Sequence, residues 1–321
     1  MKRLRFLIAL TAVLAAALPL SAAGSKEELP KEINVSFVEA PFNLQIMVMK
    51  EKGLLEKAFK EKGVAVKWHY ITSGAHQTQA MAAGSLDIAS VVNTTSVILA
   101  NAAGNRVEIA GLVSRPKRTF ALLTGPQGPS AIKDLKGKTV AGPKGTVLHQ
   151  MLAAALTAEG LSMKDVDFIS MGLPEARTAL LSGKIDAALQ AGSLIIRGME
   201  AGLKVLFTAD GFVTPILVTA VRPEFAKKYP DLLALYLKVQ EDAYAWILGN
   251  LKEAVAIGSK IQKISETDGM QLYEWSGMAS DFEDKDLDSM REDVKFLLEQ
   301  NMIANSVNPA DFVLPAAFKK K

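Results

Sequence analysis

Residues Asp134–His149 read DLKGKTVAGPKGTVLH, and this run contains a complete turn from a strand into a helix. Its pattern predicts a strand over 138–141, a glycine-rich bend and a helix from about residue 146. Gly142 and Gly145 allow backbone angles that other residues avoid. The Thr146 hydroxyl is expected to accept a hydrogen bond from an amide of the first helical turn.

A strand that ends in such a bend directs free N–H groups and the positive end of a helix dipole toward one spot. That spot suits an anion or a hydrogen-bonding ligand, although a tight connection without a ligand would use the same residues. Gly137-Lys138-Thr139 is similar to the end of a phosphate-binding loop, but the glycine expected five residues earlier is Ile132. The triplet also precedes a strand, whereas a P-loop lysine opens a helix, so nucleotide hydrolysis is excluded.

The first 23 residues have the pattern of an export signal. Three basic residues precede the apolar run 6–18, which is too short to span a bilayer comfortably, and Ser21-Ala22-Ala23 offers the small residues that a signal peptidase reads. We predict cleavage near Ala23 and a periplasmic location, with an N-terminal membrane anchor as the alternative. No cysteine follows the apolar run, so a lipid-anchored lipoprotein is excluded.

Composition narrows the possible functions further. The 321 residues are enough for two domains of ordinary size. Without the three basic residues of the signal, 34 Lys and Arg face 34 Asp and Glu, so bulk charge gives no support for nucleic-acid binding. The absence of cysteine excludes disulfides, thiolate metal sites and a cysteine nucleophile, and no cofactor is predicted.

Strands and helices alternate through the first part of the chain, which predicts parallel sheets flanked by helices. In such sheets, ligands bind beyond the carboxyl ends of the strands. Those ends carry hydroxyl, amide or exposed backbone donors and no catalytic triad or paired acids, so they predict a binding surface. They are Pro41-Phe42-Asn43, Thr72-Ser73-Gly74 and Asn93-Thr94-Thr95.

The chain also contains an internal repeat. MAAGSLDIA at 81–89 aligns with LLSGKIDAA at 180–188, 99 residues later. Each copy predicts a helix end, a glycine, a turn and an aspartate before a strand. Asp87 and Asp186 are interpreted as turn-stabilising carboxylates rather than a catalytic pair because their contexts are the same. The repeat predicts two lobes of one design that face a common cleft.

Several motifs fall in an order that resembles a known family. They are the first strand with its loop, GLLEK at 53–57, GSLDI at 84–88, DLKGKTV at 134–140, GKIDA at 183–187 and RPEFA at 222–226. Together they cover nearly the whole mature chain. Their order resembles that of the sulfonate/nitrate/taurine-type substrate-binding proteins of bacterial ABC importers, a family that includes binders of thiamine precursors.

The resemblance implies an α/β type II periplasmic-binding fold. Lobe 1 would comprise 24–118 plus 213–321, lobe 2 would comprise 119–212, and two crossover strands would act as a hinge. A monomer would close on a small molecule and deliver it to an ABC permease. By position, the ligand-binding residues would be Phe42, Asn43, Thr72, Ser73, Gly74, Asn93, Thr94, Thr95, Gly145, Thr146, Val147, Gln190 and Ser193. Arg118 is a further candidate from the first crossover, with a solvent-exposed residue as the alternative.

The chain departs from the family at Gln190-Ala-Gly-Ser193, where many sulfonate binders carry an acidic-proline-aromatic turn. The ligand therefore stays open among a sulfonate, a small oxyanion and a small heteroaromatic. Glu39 is interpreted as solvated, with pairing to a cationic ligand as the alternative. His76 and His149 lie at predicted helix starts near the cleft, but a shared metal lacks a third ligand. A sensor for a membrane signalling protein, or an enzyme similar to thiamine-precursor synthases, is the alternative function.

Overall fold

The computed structural model describes residues 28–116 and 118–318. The predicted signal peptide, residues 1–23, lies outside the described residues. Within the described ranges, no helix combines the length and the apolar character that a membrane span requires.

Within these described residues, ten strands form two separate five-stranded sheets. In chain order they are β1 (Glu32–Phe37), β2 (Ala65–Tyr70), β3 (Ile88–Asn93), β4 (Glu108–Ser114), β5 (Phe120–Thr124), β6 (Thr139–Gly142), β7 (Asp167–Ser170), β8 (Ala187–Ala191), β9 (Lys204–Thr208) and β10 (Leu217–Val221). The first sheet has the order β2-β1-β3-β10-β4 and the second has the order β7-β6-β8-β5-β9. Each sheet with its helices is called a lobe below.

In the part of the chain that the structure describes, twelve α-helices cover the sheets. They are α1 (Leu44–Glu51), α2 (Leu54–Lys60), α3 (Gly74–Ala82), α4 (Thr94–Ala102), α5 (Val147–Ala158), α6 (Leu173–Leu181), α7 (Ser193–Glu200), α8 (Pro223–Lys228), α9 (Pro230–Gly249), α10 (Leu251–Gln262), α11 (Glu266–Ser276) and α12 (Asp284–Glu299). Helices α5 to α7 pack on the second sheet, and α9 to α12 join the first lobe. The predicted boundaries at 118/119 and 212/213 stay a prediction.

The two sheets share one topology. In each, four strands run in the same direction and one runs against them: β10 in the first sheet and β5 in the second. The reversed strand is the first one that the chain enters after crossing from the other sheet. The expected mainly parallel sheets are therefore present, and the crossovers supply the antiparallel pairs.

The repeated aspartates bond their sheets in the same way. Asp87 accepts a hydrogen bond from the backbone N–H of Asn34 on β1 at 2.9 Å, and Asp186 accepts one from Thr139 on β6 at 2.9 Å. Each carboxylate therefore joins its turn to the neighbouring parallel strand. Asp87 also pairs with Arg222 at 2.6 Å, which ties the returning β10 to the first lobe. The interpretation as structural carboxylates is confirmed.

The C-terminal helices are held by an apolar stripe. Leu232, Tyr236, Val239 and Ile247 on α9 are buried in the core of the first lobe, as the helical spacing predicts. The ring of Phe225 on α8 is buried beside them.

We expect Asp87→Ala to lower the free energy of unfolding by about 2–4 kcal/mol, because it removes the acceptor of the Asn34 amide and leaves the partly buried Arg222 with only the exposed Glu224, 3.7 Å away. Asp186→Ala is the matched control. Its cation, Lys138, lies 3.7 Å away and is half-exposed, so the loss should be about 1 kcal/mol. Urea unfolding of both variants tests this, and equal losses would contradict it.

His149 lies inside the second lobe rather than at the mouth of the cleft. Its imidazole is 7% exposed, stacks on Phe168 at 4.8 Å, and has no hydrogen-bond partner at Nδ1. Burial, assisted by the charge of Lys144, lowers the pKa of His149 from 6.5 to about 4. His76 is exposed on α3, and no metal-binding group of three or more His, Cys, Asp or Glu residues is present among the described residues.

His149 should make the protein sensitive to acid. Between pH 6.5 and about 4, His149 is protonated in the unfolded chain but stays neutral in the folded chain. The free energy of unfolding therefore falls as the pH falls. We expect His149→Phe to remove about 2–3 kcal/mol of that loss. Urea unfolding across this pH range measures it. His76→Gln should follow the wild-type curve, and a wild-type pH profile in His149→Phe would contradict the prediction.

Candidate functional site

A cavity of about 350 Å³ lies between the two lobes. Both lobes contribute to its wall, because the strand ends and the helix starts of each lobe face the other. From the first lobe it is lined by Thr72, Ser73, Gly74 and Asn93, and from the second by Thr146, Val147 and Ser193, among others.

The N-terminal ends of five helices line this cavity. α3 contributes Ser73 and Gly74, α4 contributes Asn93, and the three helices of the second lobe contribute their first residues: Thr146, Val147 and Leu148 from α5, Gly172, Leu173 and Pro174 from α6, and Ser193 and Leu194 from α7. First-turn N–H groups have no acceptor within their own helix, and the helix dipole adds partial positive charge there. The N–H groups of Thr94, Ser96 and Val147 are bonded within the protein, and the remaining first-turn amides offer donors for an anion.

The rest of the wall is mostly apolar. Its large members come from strands and loops of both lobes, and Tyr70 at the rim is 66% exposed. They are Phe37, Val38, Pro41, Tyr70, Val91, Val92, Phe120 and Leu217. Among the lining residues that the structure describes, charge is carried by Glu39 and Arg197 alone. None is a histidine, so the wall supplies no imidazole base for a hydroxyl nucleophile.

Seven of the fourteen predicted ligand-binding residues line the cavity. They are Thr72, Ser73, Gly74, Asn93, Thr146, Val147 and Ser193. Gly74 is required there because a Cβ would lie 2.6 Å from the Ser96 hydroxyl and 2.8 Å from the Asn93 amide nitrogen. Ligand contact by these residues stays a prediction.

The other seven do not line it, and most have partners in the protein. The Asn43 amide donates to the carbonyls of Val38 and Ala40, which fixes the loop after β1. The Gln190 amide donates to Leu173 at 2.9 Å, and the Thr94 N–H donates to Ile216 at 3.0 Å. These three hold the cavity wall in place from behind.

Phe42, Thr95, Gly145 and Arg118 complete that set. The Phe42 ring is buried against Gly258, where a Cβ would come within 2.7 Å of it. The Thr95 hydroxyl donates to Gln150, and the Gly145 carbonyl accepts from Ser96 at 2.9 Å. Arg118 is exposed outside the cavity wall.

The expected helix cap at Thr146 is wrong in one respect. Thr146 occupies the N-cap position of α5, but its hydroxyl donates to the Pro143 carbonyl at 2.9 Å instead of accepting from the helix. The acceptor for α5 comes from the other lobe, because Asn93 Oδ1 accepts a hydrogen bond from the Val147 N–H at 3.3 Å. The same oxygen accepts one from the N–H of Ser96, in its own lobe, at 2.9 Å. Asn93 is also the N-cap of α4.

Sequence reasoning missed Arg197 and Gln262, which both line the cavity. The Arg197 guanidinium donates to the backbone carbonyls of Gln262 and Lys263 across the cleft. The Gln262 amide donates to the carbonyls of Glu39 and Pro41, and its Oε1 is buried without a partner. Both residues lie in amphipathic helices far along the chain, so no local motif marks them.

The lobes meet in a closed arrangement. Besides the contacts of Asn93 and Arg197, the backbone of Gly192 packs against Pro41, where a Cβ would lie 1.9 Å from the Pro41 carbonyl oxygen. Gly192 also has a φ of +57°, a conformation that favours glycine. Closure therefore brings the two backbones together at a point where a side chain does not fit.

Comparison with known proteins places this geometry in a family. A sequence profile described as NMT1/THI5 like matches residues 44–254. A protein provisionally named as aliphatic sulfonates-binding, from Bacillus subtilis (strain 168), is 32% identical over 269 residues, which are 83% of this chain and 80% of that protein. The taurine-binding periplasmic protein of Escherichia coli (strain K12) is 30% identical over 217 residues, 66% of each chain.

Solved structures share the fold. The alkanesulfonate-binding protein SsuA from Xanthomonas axonopodis pv. citri, bound to MOPS, superposes with a TM-score of 0.79 at 18% identity over 89% of this chain and 98% of that one. The desulfurization enzyme DSZB superposes with a TM-score of 0.63 at 14% identity over 89% and 97%. The periplasmic-binding architecture is thus confirmed, and the chain belongs to the NMT1/THI5-like family.

Proposed function

We propose that this chain is the periplasmic receptor of an ABC importer and that it captures an organosulfonate with an uncharged, apolar tail. The observation that carries the proposal is the convergence of five helix N-termini on one cavity between the lobes whose other walls are mostly apolar. The relatives named for sulfonates and taurine support the choice of anion.

The donor-rich part of the wall suits a sulfonate head. Three equivalent oxygens that each accept hydrogen bonds match N–H groups and hydroxyls arriving from both lobes, and helix dipoles supply the attraction. A sulfonate would stabilise the closed state, because its oxygens would contact Ser73 and Gly74 in one lobe and Thr146 and Ser193 in the other. Ligand free energy then shifts the protein from an open to a closed state.

The apolar part of the wall suits the tail. Phe37, Tyr70 and Phe120 offer aromatic surface, and each buried methylene contributes about 0.8 kcal/mol. The ammonium of taurine would have a single carboxylate, Glu39, within the wall, and an unpaired buried ammonium is costly. The cavity of about 350 Å³ also exceeds what so small a molecule fills.

The proposed role is binding and not catalysis. The wall holds Glu39 as its one carboxylate among the described lining residues, and the chain has no cysteine. A monomer would present the bound ligand to its permease, with ligand contacts at Thr72, Ser73, Gly74, Asn93, Thr146, Val147 and Ser193.

A ligand series tests the proposal. We expect hexanesulfonate and benzenesulfonate to bind at least about tenfold more tightly than taurine and to raise the melting temperature by several degrees at saturation. Titration calorimetry measures the affinities. Glu39→Gln should leave the affinity for hexanesulfonate unchanged. Tighter binding of taurine, lost in Glu39→Gln, would show that Glu39 receives an ammonium and would contradict the apolar-tail class.

Closure itself is tested at Gly192. We expect Gly192→Ala to weaken hexanesulfonate binding by more than about tenfold, because the added Cβ keeps the Pro41 backbone away. Gly183→Ala is the matched control: its φ is +68°, so it carries backbone strain too, but no atom lies within 4 Å of the added Cβ. It should retain wild-type affinity. Equal affinity in the two variants would contradict the role of this contact.

A further inference from the structure

Another inter-lobe contact lies away from the cavity wall. Gln150 on α5 is buried between two groups of the first lobe. Its Oε1 accepts from the Thr95 hydroxyl on α4, and its Nε2 donates to the carboxylate of Asp293 on α12 at 2.5 Å. The Thr95–Gln150–Asp293 bridge therefore places one side chain of the second lobe between two side chains of the first.

Asp293 is held in this bridge by a neutral partner. No ion pair to its carboxylate is present among the described residues. The groove beside it is lined by the crossover Gly211, Phe212, Val213 and Thr214, which carries no charge, and by Lys285, Asp288, Glu292, Lys295 and Glu299 of its own helix.

The charged neighbours do not compensate Asp293. Lys285 pairs with Glu283 and lies eight residues away, about 12 Å along the helix axis. Lys295 lines the same groove, but among the described residues no salt bridge joins it to Asp293. Asp288 pairs with Arg291. From α5 the nearest titratable residue is His149, which is buried inside the second lobe, and α4 has no titratable side chain.

Opening of the cleft changes the surroundings of Asp293. Gln150 belongs to the second lobe, so separation of the lobes would break both hydrogen bonds of the bridge and would expose the half-buried carboxylate further to water. In the closed arrangement Asp293 is half-buried at the edge of the groove, and the uncharged amide of Gln150 takes the place of part of that water. An ionised carboxylate loses more free energy in this exchange than a protonated one.

We propose that protonation of Asp293 favours closure of the lobes, so that the receptor captures its ligand more tightly in acidic than in neutral or alkaline surroundings. The bridge acts as a proton-linked latch on the hinge side of the cleft. The Gln150 amide can donate to either form of the carboxyl group, so protonation removes the desolvation cost and keeps the bond.

The direction of the shift agrees with this geometry. Burial raises the pKa of Asp293 in the closed state from 3.8 to about 7, although the hydrogen bond from Gln150 opposes the rise. In the open state water restores a pKa near that of an ordinary carboxyl group. Because the pKa of Asp293 is higher in the closed state than in the open state, protonation of Asp293 stabilises the closed state. This stabilisation is fully present below the open-state pKa and is lost as the pH rises through about 7.

Titration calorimetry with hexanesulfonate at about pH 5.5 and about pH 8 tests the latch. The choice of hexanesulfonate as the ligand rests on the proposed function. Its sulfonate does not titrate in this range, so pH dependence reports the protein. We expect wild-type affinity to fall by at least about tenfold at the higher pH, with proton uptake on binding near pH 6. Asp293→Asn keeps an acceptor for Gln150 without the charge, so its affinity should be independent of pH and should exceed that of wild type at pH 8.

Asp288→Asn is the matched control, because Asp288 lies on the same helix but is exposed and paired with Arg291. It should keep the wild-type pH dependence. An Asp293→Asn variant with the wild-type pH dependence would overturn the latch.

Small-angle scattering of the ligand-free protein separates failure of the latch from failure of the ligand class. If hexanesulfonate binds at neither pH, the sulfonate proposal is wrong, but the latch still predicts a smaller radius of gyration for wild type at pH 5.5 than at pH 8. Asp293→Asn should show the same radius at both. In that case an unchanged wild-type radius would overturn the latch as well.

Discussion

Unpaired N–H groups at the starts of helices are the constraint on which this structure depends. A helix cannot satisfy its own first amides, and a parallel sheet places the starts of its following helices along one edge. Here two such edges face each other, so five helix starts share one cavity. Some of those amides find acceptors in the opposite lobe, as Val147 does in Asn93, and the remaining donors define what the cavity can hold.

The inter-lobe contacts show how closure is divided between ligand and protein. Asn93, Ser96 and Arg197 bond across the cleft close to the cavity. The Thr95–Gln150–Asp293 bridge joins the lobes beside the second crossover. Contacts of the first kind assemble the wall of the cavity, whereas in our proposal the bridge contributes free energy of closure that depends on pH. A receptor that has both can respond to its ligand and to its surroundings with one motion.

The internal repeat has a physical basis in the turn aspartates. Asp87 and Asp186 each accept from a backbone N–H in the first half of the neighbouring parallel strand, and so each fixes the same turn in its own lobe. They differ in their cations, because Arg222 arrives from the returning crossover only in the first lobe. The two lobes therefore share a local design and differ where the chain re-enters.

The sequence by itself determined the strands and helices, the two-lobed plan and the strand ends that form the cleft. These follow from local signals: the periodicity of apolar residues, the glycines that end helices, and residues such as Asn93 that begin them. Half of the predicted ligand-binding residues line the cavity because strand ends face it in any fold of this class.

Only the tertiary structure decided which side chains are free to meet a ligand. Asn43 and Gln190 carry the right chemistry at the right strand ends, yet loop and helix carbonyls take their amides. Arg197, Gln262 and Asp293 matter because helices distant in sequence bring them against the opposite lobe. Partners, burial and the pKa of a carboxyl group depend on what packs around it, and no local pattern in the chain encodes that packing.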